Sequence, residues 1–146
     1  MPALRDSEEG SILPLVFGFF AIALALVLVV SAATSLYLER SRLYTLADGS
    51  ALAGSGAFAL TAAETAGTGR AAPRLSDAAV RAAASAYLAE AAAGRRTPVR
   101  LAAASAPDGR SAVVRLAEDW RPPLLSVFVP HGVHLEVEGH ARPVLW

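Results

Sequence analysis

The chain has 146 residues, 13 basic and 13 acidic side chains, no cysteine and 54 % hydrophobic residues. Zero net charge excludes a protein that grips a nucleic-acid backbone by bulk electrostatics. The missing cysteines exclude disulfides, thiolate metal sites and cysteine nucleophiles.

The charges are unevenly placed. None falls in residues 10–38, between Glu9 and Glu39. The rest of the chain is about 22 % charged, close to the ~25 % of soluble domains, so the excess hydrophobicity sits in one segment. Residues 1–10 form a short charged tail ahead of it.

Residues 11–38 read as a transmembrane helix. From Ile12 to Val30 no side chain is polar, and a bilayer core takes ~20 apolar residues at 1.5 Å each. Pro14 lies near the start, where a missing N–H is harmless. A cleavable signal peptide is the competing reading, with small residues at Ser31, Ala32 and Ala33 for a cleavage site. Against it stand the length of the apolar run and a leader with one Arg against three acids. Arg5 precedes the span while Arg40 and Arg42 follow it, so the positive-inside bias is weak.

Residues 39–60 extend the helix beyond the membrane. Leu36, Leu43, Ala47, Ala51 and Phe58 fall near one face, with Glu39, Arg40, Arg42 and Asp48 mostly off it. Ala47/Ala51 and Ser50/Gly54 are small residues four apart, a spacing that lets another backbone come close. Gly54-Ser55-Gly56 predicts that the helix frays or ends near Ala59. Residues 61–75 then read as a linker broken by Gly67, Gly69 and Pro73.

Residues 76–146 predict a small α+β domain. Ser76 is an N-cap, Asp77 lies in the first turn and Leu75 staples onto Val80. Val80, Ala83, Ala84, Tyr87, Leu88 and Ala91 form one apolar stripe, closed by Gly94. Residues 99–105 and 110–117 read as two strands around an Ala106-Pro107-Asp108-Gly109 type I turn. A short apolar piece, Leu124–Val129, precedes a third strand in which Val133, Leu135, Val137, Gly139 and Ala141 alternate with polar residues. The whole predicts an α+β chain with a long N-terminal membrane helix, a second amphipathic helix and a three-stranded antiparallel sheet.

Few residues suggest chemistry. His134, Glu136, Glu138 and His140 share one strand face, an arrangement open to a metal ion but equally that of a solvated face, and no HExxH pattern accompanies it. Glu118-Asp119 could serve as paired carboxylates, but adjacent residues of a strand point to opposite faces, and the pair reads rather as part of a turn beside Trp120. Arg95-Arg96 reads as favourable charge at a helix C-terminus. There is no phosphate loop and no G-x-S-x-G elbow. No catalytic, cofactor-binding or metal-binding residue is assigned, and no cofactor, nucleic acid or small-molecule substrate is expected.

The leader ending Glu9-Gly10-Ser11, the apolar span, the stretch Leu36-Tyr37-Leu38-Glu39-Arg40-Ser41-Arg42-Leu43 and the block Ala47-Asp48-Gly49-Ser50-Ala51-Leu52-Ala53-Gly54 are found together over residues 5–60. In this respect the chain resembles the TadE/TadG-like family of tight-adherence (Flp) pilus assembly proteins. The resemblance implies a single-pass protein of the cell membrane, N-terminus in the cytoplasm and C-terminal domain outside. It also implies partners among the pilus or secretion-system membrane proteins, met through the N-terminal helix, besides the bilayer itself. Gly10 is followed five residues on by Leu15 rather than by the Glu of processed pseudopilins. That favours an uncleaved anchor or minor pseudopilin-like component over a bulk pilin. The leading expectation is a non-catalytic structural or assembly component of such a machine. The alternatives are an exported soluble binding module released near Ala32/Ala33, and a tethered enzyme or metal protein using His134, Glu136, Glu138 or His140.

Overall fold

The computed structural model describes residues 12–66, 74–121 and 131–143. Its elements in chain order are α1 (Ile12–Ala66), α2 (Asp77–Ala91), β1 (Arg100–Ser105), β2 (Ala112–Trp120) and β3 (Val133–Ala141). The N-terminal tail, residues 67–73 of the expected linker and the apolar piece Leu124–Val129 lie outside the described residues.

Helix α1 is a single rod of 55 residues, about 82 Å at 1.5 Å per residue. It does not end near Ala59. It passes through Gly54-Ser55-Gly56 and takes in residues 61–66, the first part of the expected linker. Packing overrides the low helix propensity of glycine here. Gly54 is buried so closely that an added Cβ would lie 2.9 Å from Val80 Cγ1, and the Ser55 hydroxyl donates to the carbonyl of Leu52 at 2.9 Å.

Helix α2 starts as its sequence dictates. The Ser76 hydroxyl accepts from the amide of Ala79, and Leu75 and Val80 are both buried in the core. Asp77 does more than favour the first turn, since its Oδ1 accepts from the Ala106 amide at 2.7 Å and ties α2 to the end of β1. After α2 the chain turns at Gly94, whose φ of +80° suits glycine. Three contacts fix the direction of α2: Gly54 meets Val80, Gly49 meets Tyr87, and Glu39 meets Arg95. Numbers rise along α1 as they fall along α2, so the helices are antiparallel and α2 returns toward the uncharged segment.

The sheet has the order β1-β2-β3 with both pairs antiparallel. The β1–β2 turn is closed by the Gly109 amide donating to the Ala106 carbonyl at 3.0 Å, as the Pro-Asp-Gly sequence requires. Asp108 accepts from the amides of Arg110 and Ser111 and from the Ser111 hydroxyl. These bonds hold its carboxyl well below the usual carboxylate range. Strand β2 begins later than its pattern suggested and runs on through Glu118, Asp119 and Trp120, so Glu118-Asp119 is strand and not turn.

The core is shared between α1 and the later elements. Leu43, Ala47, Ala51 and Phe58 pack with Val80, Ala84 and Leu88 of α2 and with Val114, Leu116 and Val137 of the sheet. The expected α1 stripe is therefore the face on which the sheet and α2 rest. The close approach predicted by its small residues is made within the chain, for the backbone of β3 at Gly139 lies directly on Ala47 and Asp48.

Candidate functional site

Two regions of α1 differ completely in their surroundings. From residue 43 onward one face is buried under the head, the unit formed by α2 and the sheet. Before it, Ile12, Phe17, Phe19, Phe20, Leu26 and Val29 are all exposed. The most apolar stretch has a mean hydropathy of 2.9, and none of it is buried within the protein. A core helix of a globular unit would bury one face. This segment presents apolar side chains all round, as a helix solvated by lipid does.

At the junction of bare and covered helix lies an ion cluster. Arg95 sits just beyond the C-terminal end of α2, and its guanidinium donates to Glu118 of β2 at 2.9 Å and to Glu39 of α1. Glu118 is wholly buried, while Arg95 and Glu39 keep 19 % and 17 % of their side-chain exposure. One cation thus joins three elements at the base of the head. Burial pushes the Glu118 carboxyl above its ordinary value; Arg95 opposes this, and the neighbouring Glu39 charge adds to it. Glu118 Oε1 and Arg95 Nε are buried without a hydrogen-bond partner among the described residues, so the cluster is only partly satisfied.

The part of the chain that meets this junction is the part with a recognisable relationship. Residues 10–71 match the Flp pilus-assembly TadE/G-like family. The TadE/G-like stretch takes in the whole of α1 but neither α2 nor any strand. Its Ala-Asp-x-x-Ala-Leu-Ala-Gly block is the segment that receives the head: Ala47 lies under Gly139, Gly49 under Tyr87 and Gly54 under Val80. No curated relative and no solved structure matches the chain.

Sequence reasoning missed the ion cluster beside this TadE/G-like block. Arg95 does not act simply as charge at a helix end; its side chain reaches from the segment after α2 to Glu118 and Glu39. The signal was present in β2. Ala112, Val114 and Leu116 are inward-facing alternate residues, and Glu118 continues that series. Ending the strand at 117 hid it.

The outer face of the sheet carries a separate chain of ion pairs. Arg115 reaches Glu136 at 3.2 Å and Glu138 at 2.7 Å. His134 Nδ1 lies 2.8 Å from Asp119, which also pairs with Arg100. His140 pairs with Glu138 at 2.8 Å. The hydrogen bond from Arg115 holds Glu138 below the usual carboxylate range, and the bond with His134 does the same for Asp119. His134, Glu136, Glu138 and His140 share this face, but each is drawn toward a neighbouring ionic partner. Among the described residues no group of three or more metal-ligating side chains converges.

Proposed function

We propose that the chain is a membrane-anchored, non-catalytic structural or assembly component of a Flp/Tad-type pilus or related secretion system, resembling a minor pseudopilin. The observation that carries this reading is the continuity of α1: one helix has a bare apolar half and a half built into the head, within a family-matched stretch. In this reading residues 1–10 stay in the cytoplasm, residues 11–38 cross the bilayer, and the head stands outside on a helix stiff enough to fix its height. The exposed apolar surface is available for lateral contact with other spans of the machine, as the family resemblance implies. No cofactor and no catalytic residue enters the account.

Deletion of the gene in a cell that makes this chain tests the reading. Flp-type fibres are expected to disappear from the surface and to return with the full chain. Unchanged fibre number and length in the deletion strain would overturn it.

A further inference from the structure

We propose that a basic hollow at the base of the head binds the phosphate of an anionic phospholipid. The inference rests on the reading of α1 as a membrane anchor and adds a lipid-selective contact to it. The hollow has a volume of about 400 Å³, and its lining includes Ser35, Glu39, Arg42, Arg96, Trp120 and Arg121. With Arg95 it brings four arginines to one place, against Glu39 in the lining and Glu118 behind Arg95, in a chain of zero net charge. Arg95 is already committed to Glu39 and Glu118. Arg96 and Arg121 are exposed, and among the described residues neither makes an ion pair, although the charge of Arg121 acts on Asp119 from farther away. Arg42 is 69 % exposed and only 3.6 Å from Glu39 at its nearest.

The height of this hollow along α1 selects its ligand. The apolar run from Ile12 to Val30 covers about 28 Å, close to the ~30 Å of a bilayer's hydrocarbon core. Ser35 lies five residues past Val30, about 7 Å farther along the axis. The headgroup layer on each side is about 5–7 Å deep, so Ser35, the lining residue nearest the apolar run, sits at the outer edge of the headgroup layer. Arg96 and Arg121 line the hollow with Ser35, while the Arg42 backbone lies about 10 Å farther out along α1 and reaches the hollow by its side chain. Guanidinium groups form paired hydrogen bonds with a phosphodiester. A zwitterionic lipid has the same phosphate but cancels its charge with a cation that the arginines repel. The site therefore favours a phosphatidylglycerol-type headgroup.

The full chain in a mild detergent micelle, titrated with phosphatidylglycerol or phosphatidylcholine and read by native mass spectrometry, tests this. Phosphatidylglycerol should be retained in preference, and Arg96→Ala/Arg121→Ala should weaken its retention about 30-fold, from a contribution of about fivefold per arginine near an anionic surface. Arg81→Ala, in the first turns of α2 and far from the base, should leave retention unchanged. Equal retention of both lipids, or a preference that survives in the double variant, would overturn the proposal. Displacement of the lipid by soluble glycerol phosphate at equal concentration would overturn a lipid source in favour of a free phosphate. A full chain that stays dispersed without detergent or lipid would instead contradict the anchor reading, and the lipid site with it.

Discussion

Replacing Arg95 with alanine is expected to destabilise the head by about 3 kcal/mol at neutral pH. Removing one member of a buried ion pair typically costs ~3–5 kcal/mol, because the remaining charge is left in a poorly solvating interior. The lower end applies here, since Arg95 retains 19 % side-chain exposure and water can reach part of the space it leaves. Glu118 has no such access, and without Arg95 it faces the like charge of Glu39. The sign of the pH dependence follows from its raised carboxyl. A group that binds its proton more tightly when folded contributes stability that is fully present below its unfolded value, ~4.3 for a glutamate, and lost as pH rises through the folded value. Arg95 lowers that folded value, so its removal extends the loss to higher pH. The deficit of Arg95→Ala should therefore be small near pH 4 and grow toward neutrality. Urea unfolding of the detergent-solubilised chain, followed by far-UV circular dichroism at several pH values, measures it. A deficit independent of pH, or below about 1 kcal/mol at pH 7, contradicts a buried Glu118 that depends on Arg95.

Gly139→Ala is expected to cost a further and separate amount, about 3 kcal/mol, at the top of the usual range for overpacking. The added Cβ would lie 2.7 Å from the amide nitrogen of Asp48 and closer still to the carbonyl carbon and oxygen of Ala47. Both neighbours are backbone of a continuous helix, so neither can swing aside as a side chain would. Either α1 shifts off β3 or β2 and β3 part. Gly56→Ala supplies the contrast. Its Cβ would meet nothing within 4 Å, at an exposed position of the same helix, and alanine there should raise stability by roughly 0.5–1 kcal/mol. The same unfolding experiment reads both. If the two alanines act alike, the seating of β3 on the Ala47 turn is wrong.

What the sequence revealed of this architecture depended on whether a residue's role was periodic or pairwise. The stripe Leu36, Leu43, Ala47, Ala51 and Phe58 was legible because burial on a helix repeats every three or four residues; four of its members are buried, and Leu36 is only half-buried. The alternation in β3 was legible for the equivalent reason in a strand, with Val137 and Gly139 buried, although Val133 at its start is exposed. Ser76 and the Pro107-Asp108-Gly109 turn were legible because capping and turn chemistry is local. Gly54-Ser55-Gly56 misled, since helix propensity is a small term and Val80 and Ala112 press on Gly54 from outside the helix. The junction of Glu39, Arg95 and Glu118 was the least accessible part, as its members come from three elements far apart in the chain. Spacing in β2 points to Glu118 alone; the packing that brings Arg95 and Glu39 to it has no such imprint.

A permanent anchor in α1, continuous with the head, can be measured directly. Membranes from cells making the full chain are washed with carbonate at high pH, and the intact mass of the retained protein is determined. Retention in the membrane is expected, with residues 1–32 present in the measured mass. A soluble product beginning near Ala33 would contradict it: Glu39, Leu43 and the rest of the head's core would survive such a cleavage, and the protein would be an exported module instead of an anchored one.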